Sequence, residues 1–219
     1  MFNPLSIYRS LPTYIHKGIR MEVTIMKEIT LVKRKFSTAQ ITVIGALFGI
    51  TIVLGVTGLG FIPIPPFKTT IMHIPVIIGG IVEGPVVGAM IGLFFGVFSI
   101  FQAINTPSPV SFIFMNPIIA VLPRMMIGIT AYYGYKLIRT RSRSMNIAIG
   151  AVIGSFTNTL GVLGLIYIIY IDAYMKALHV SYSIAVKSLL VLALNGLISA
   201  GAAVAITVPV VIAVGYLRK

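Results

Sequence analysis

Residues 38–217 are apolar in blocks of about 20 residues, the length a helix needs to cross a hydrocarbon core about 30 Å thick. No water is at hand there to satisfy backbone N–H and C=O groups. Each crossing segment must satisfy its own, and a helix does so. Six helices are expected, over 38–60, 68–82, 85–104, 116–138, 145–173 and 183–217. The second is short and contains Pro75, which predicts a kink or a partial crossing. Ser37 or Thr38 is placed to cap the first, and Pro85 suits the first turn of the third. The fold class that follows is an all-α integral membrane protein, a six-transmembrane-helix bundle over residues 37–219. Composition agrees: 10% of residues are charged and mean hydropathy is +1.03, where soluble domains carry about 25% charged residues.

Charge placement gives the orientation. With six helices and the N-terminus inside, the inner segments hold Arg9, Lys17, Arg20, Lys27, Lys33, Arg34, Lys35, Lys136, Arg139, Arg141, Arg143, Arg218 and Lys219. Those are thirteen of 17 basic residues, an asymmetry that predicts both ends inside. The same clustering beside apolar segments turns the net charge of +13 toward anionic headgroups and away from nucleic acid. Residues 1–36 form a basic cytoplasmic leader expected to lack fixed structure, with Met21 and Met26 as alternative starts. There is no Cys for disulfide or thiol chemistry and no Trp for an interfacial belt. Tyr132, Tyr133 and Tyr135 take that place at the inner end of the fourth helix. The tyrosines of 167–174 sit near the outer face, for belt duty or for stacking on a ring.

Arg124 breaks the pattern. It lies inside the fourth apolar block, after Pro123. A guanidinium does not deprotonate to escape lipid, and at mid-membrane it costs about 2.5–3.5 kcal/mol on insertion scales. The four acidic residues, Glu22, Glu28, Glu83 and Asp172, all fall outside the centres of the apolar blocks. Arg124 therefore predicts either an anionic ligand or packing against carbonyls that Pro123 frees. Other polar groups expected to converge in the outer halves of the later helices and the loop after the first are Lys68, Thr69, Asn116, Asn158, Thr159, Lys187 and Asn195. Each has a plainer reading. Asn158 and Asn195 serve as well for interhelical hydrogen bonds, Lys68 for snorkelling to headgroups, and His73 for a bonded packing histidine.

Small residues recur at helical spacing. Gly84, Gly88, Gly92 and Gly96 stripe the third helix, Gly196, Ala200 and Ala203 the sixth, and Thr42, Gly45, Ala46 and Gly49 the first. Such faces let helices approach closely, within a bundle or between proteins. The chain has no G-x-x-x-x-G-K-[ST], no H-E-x-x-H and no acidic relay inside the apolar blocks. It is not an ATPase, a metalloenzyme or an acid–base enzyme, and no cofactor or metal is expected. Transport, if it occurs, draws energy from partners.

Three segments carry a resemblance: "FIPIPPFKTTIMHIPVIIGGIVEGPVVGAMIGLFFGVFSIFQA" (61–103), "SFIFMNPIIAVLPRMMIG" (111–128) and "GSFTNTLGVLG" (154–164). The series MHIP, EGP, LPR and TNT resembles the substrate-binding S components of energy-coupling-factor (ECF) vitamin importers, in the branch with riboflavin-, pantothenate- and folate-type members. The likeness covers 35–219. It implies a multi-pass protein of a prokaryotic plasma membrane that binds a vitamin outside. Delivery inward then takes a transmembrane coupling protein and two cytosolic ATPase subunits. It also assigns Thr42, Gly45, Ala46 and Gly49 to docking on the coupling protein, where the family typically has Ala-x-x-x-Ala. The basic residues Lys68, Arg124 and Lys187 favour an anionic vitamin, pantothenate before folate or riboflavin. The Pro-rich loop 61–68 is expected to cover the ligand. The alternatives are a self-sufficient channel or facilitator and a ligand-free membrane scaffold.

Overall fold

A ten-residue helix, α2 (Ile74–Glu83), stands at the centre of the bundle with eight of its residues buried. The computed structural model describes residues 36–64, 67–106, 108–138 and 140–217, with 62–64 and 67–69 described by backbone alone. The leader expected over 1–36 lies, Phe36 apart, outside the described residues. Before α2 come α1 (Thr38–Val56) and a hairpin of β1 (Phe61–Ile64) and β2 (Phe67–Thr70). After it come α3 (Pro85–Asn105), the single turn α4 (Ser111–Phe114), α5 (Pro117–Leu137), α6 (Arg143–Leu178) and α7 (Tyr182–Leu217).

Five of these helices, α1, α3, α5, α6 and α7, are long and apolar enough to cross a membrane. The helix expected over 68–82 is corrected in two ways. Residues 67–70 are strand, paired antiparallel with β1 in the register Phe61↔Thr70 to Ile64↔Phe67. Pro75 does not kink α2; it sits in the first turn, where its missing N–H has no intrahelical partner to lose. At about 1.5 Å per residue, α2 is about 15 Å long, half a hydrocarbon core.

α2 is apolar on every side and is surrounded by α3, α5, α6 and α7. Glycines set how close these neighbours come. A Cβ on Gly88 of α3 would lie 2.7 Å from Gly80 Cα of α2 and 2.8 Å from Gly128 Cα of α5. A Cβ on Gly92 would strike the Arg124 carbonyl, and one on Gly96 would lie 2.7 Å from Val121 Cα. The stripe Gly88, Gly92 and Gly96 is thus an internal seam against α5. Gly84 serves the backbone instead. At φ 101° it makes the one-residue turn from Glu83 into Pro85, a backbone state open to glycine. On α7, Gly196, Ala200 and Ala203 are buried against the bundle as well.

α1 is attached differently. Its Phe48 ring lies 5.2 Å from that of Phe94, and Gln102 Nε2 of α3 donates to the Gly55 carbonyl at 3.2 Å. Gly45 and Gly49 face open space, with nothing within 4 Å of a Cβ built on either. Thr42 and Ala46 are exposed on the same helix.

Candidate ligand-binding site

α5 builds the centre of the site. Asn116 caps it, its Oδ1 accepting from Ile118 N at 2.9 Å. About two turns further on, Pro123 has no N–H to give the carbonyl four residues back, that of Ile119. Arg124 takes over that carbonyl, Nη1 donating to Ile119 O at 2.7 Å. The guanidinium carbon lies 5.7 Å from the Phe95 ring centre and 5.4 Å from that of Phe114. Such cation–π contacts contribute about 0.5–2 kcal/mol each. Arg124 is 7% exposed, yet its Nε–H meets no acceptor. The freed carbonyl and the open donor coexist: one edge of the fork closes the helix defect and the Nε–H is left without an acceptor.

Beside it lies a cavity of about 650 Å³ where α1 and α3 end and α5 begins. Its walls are Gly55–Gly58, Phe61, Thr70 and Met72 on one side, and Phe95, Ser99, Gln102, Phe114, Arg124 and Asn158 on the other. Thr106, Ser108 and Ser111 add a hydroxyl-rich rim. A smaller chamber of about 150 Å³ adjoins it between α6 and α7, sharing Thr70, Phe114, Arg124 and Asn158 and adding Thr159, Asn195 and Ser199. Polar atoms without partners concentrate on these walls: Arg124 Nε, Asn158 Oδ1 and Asn195 Nδ2 are all buried with none. Most buried polar atoms in folded proteins are paired, so this cluster makes the walls a candidate binding site.

The sequence-expected residues divide accordingly. Arg124, Asn158, Thr159 and Asn195 are brought together on the chamber walls. Asn116 is not: its Oδ1 caps α5 and its Nδ2 donates to Tyr170 Oη at 3.0 Å. Lys187 is not either; it is exposed on α7 and lines neither chamber. Lys68 and Thr69 lie on β2, next to the wall residue Thr70, with their side chains outside the described residues. His73 packs in the core, Nε2 3.1 Å from Ser155 Oγ, as a bonded histidine does. Thr157 faces α5 instead, its hydroxyl 2.8 Å from that of Thr130.

Several wall residues were not singled out by sequence. Ser99 and Gln102 share one face of α3 at a spacing of three, a signal that polar residues in an apolar block do carry. Ser108 and Ser111 read as ordinary loop residues; their hydroxyls lie 2.8 Å apart at the rim. Ser199 looks like one more small helix residue, but its Oγ donates to Thr70 O at 2.8 Å and ties β2 to α7. Among the described residues no group of three or more His, Cys, Asp or Glu is placed to hold a metal ion.

A family model described as ECF transporter, substrate-specific component, matches residues 39–211. The chain belongs to this family. It is accordingly a multi-pass membrane protein of a transporter family, not of an enzyme family. The pantothenic acid transporter PanT of Lactococcus lactis subsp. cremoris (strain MG1363) is similar at 31% identity over 119 residues, 48% of this chain. The match spans 59% of that relative's length. The family match covers every wall residue described above, from Gly55 to Ser199.

Proposed function

We propose that this substrate-specific component captures a small vitamin from outside the cell, the carboxylate pantothenate before folate, also a carboxylate, or neutral riboflavin. It passes the vitamin inward with a transmembrane coupling protein and two cytosolic ATPase subunits. The observation that carries the reading is Arg124: a buried, permanent cation that lines a cavity of about 650 Å³, with an unpartnered Nε–H and no described carboxylate paired with it. A carboxylate supplies the missing acceptor. The similarity to a pantothenic acid transporter points to the same ligand class. The open Gly45–Gly49 face of α1 supports docking on the coupling protein, since helices pack closely where Cβ atoms are absent.

The same reading has the chain cross six times with both ends inside. The sixth crossing is the composite of β2, Met72, His73 and α2. Non-helical backbone is tolerated at membrane depth where protein buries it or a cavity borders it. Met72 is 2% and His73 0% exposed, and Thr70 borders both chambers.

Mass spectrometry of small molecules released from the purified, detergent-solubilised chain tests the substrate. Pantothenate is the expected species. Riboflavin or folate in its place overturns the choice of vitamin, and a protein that binds none of the three overturns capture.

A further inference from the structure

The side chamber between α6 and α7 constrains the ligand beyond its charge. Val162, Leu163 and Leu192 make it mostly apolar, and Asn195 brings one amide into it. Asn195 Nδ2 is buried without an acceptor, so the bundle itself does not use this donor. An interhelical staple would have paired it, because an unmet buried donor is a standing cost to the fold. The chamber's 150 Å³ is about ten times the space one water needs, enough for a short branched group of a few heavy atoms.

Position orders the chemistry. Arg124 and Asn158 line both chambers, while Asn195 lines the side chamber alone. A molecule held at Arg124 and reaching into the side chamber would pass Asn158, whose Oδ1 lacks a donor, and then Asn195, whose Nδ2 lacks an acceptor. We propose that the side chamber takes the branched aliphatic end of the ligand. Asn195 Nδ2 donates to a hydroxyl oxygen on that end, and Asn158 Oδ1 accepts from an N–H or O–H between the two ends. This rests on the reading of Arg124 as the carboxylate's partner. Pantothenate has these groups in this order: a carboxylate, an amide N–H and a dimethyl-branched, hydroxylated end.

Equilibrium binding to the full chain in detergent tests this with three ligands. They are pantothenate, its analogue lacking both hydroxyls on the branched end, and the straight-chain carboxylate hexanoate. Wild type is expected to bind pantothenate about tenfold tighter than the dideoxy analogue, and the dideoxy analogue tighter than hexanoate. Asn195→Leu is expected to erase the preference for the hydroxyls while binding the dideoxy analogue as wild type does. A wild type with no preference among the three overturns the side-chamber assignment and leaves Arg124 standing; this arm needs no variant to fold. Asn195→Leu weakening pantothenate and the dideoxy analogue equally overturns the Asn195 contact, because the amide then acts on the helices. A wild type that binds none of the three overturns the Arg124 reading, and this inference with it.

Discussion

In the proposed function Arg124 does two jobs with one planar group. Its Nη1 repairs the carbonyl that Pro123 leaves open, and its Nε stays free at the cavity wall. A lysine could do one of these, as a single point charge without the fork. Arg124→Met should weaken binding of the acid by roughly ten- to a hundredfold, from about 1.5–3 kcal/mol for a charge-assisted contact. It should bind a carboxylate-blocked analogue as wild type does, and Arg124→Lys should recover part of the loss. Titrating acid and blocked analogue against the three proteins checks this. Equal losses for both ligands in Arg124→Met would make the arginine a helix fastener only. Arg124, Asn158 and Asn195 were legible as candidates, and all three line the cavities, because amides and cations stand out against an apolar background. The sequence could not separate them from Asn116, whose amide is equally conspicuous but is consumed by the cap and by Tyr170. That distinction depends on which way a side chain faces.

Helices carry the contrast between seams and surfaces. The glycines of α3 and of α1 look alike as letters. A Cβ on Gly88 would press on backbone of α2 and α5, whereas one on Gly45 or Gly49 meets nothing. Gly88→Ala should therefore destabilise the bundle by about 1–3 kcal/mol, the usual range for overpacking. Gly45→Leu and Gly49→Leu should leave stability and ligand binding by the isolated chain near wild type while abolishing uptake in cells. Thermal unfolding, binding and uptake on the three variants check this, and loss of binding in the α1 variants would make that face internal. Helix placement was largely legible, as with α3, expected over 85–104 and observed as Pro85–Asn105. The hairpin was not, because Lys68–Thr70 joins without a break to the apolar run of α2, and cross-strand pairing leaves no periodic mark in four residues. Pro75 is ambiguous for a related reason: a proline breaks a helix or begins one according to where the helix starts.

For the whole molecule, length and charge set the frame. α6 and α7 run 36 residues each, about 54 Å, well beyond a hydrocarbon core of about 30 Å. Their joining turn, with His179 at φ 53°, is placed by the six-crossing reading on the outer side, and the basic stretch at Arg141–Arg143 on the inner. The absence of cysteine makes this simple to check. In intact cells an impermeant thiol reagent should label His179→Cys and not Ser142→Cys, and the reverse pattern would invert the topology. The claim on which the rest depends is that this chain alone, without ATPases, holds a small carboxylate against Arg124. Calorimetric titration of the purified chain with pantothenate and with its carboxamide measures that directly. One saturable site for the acid and at least about tenfold weaker binding of the carboxamide are expected. Equal affinity for the two, or no saturable binding of either, would contradict that claim.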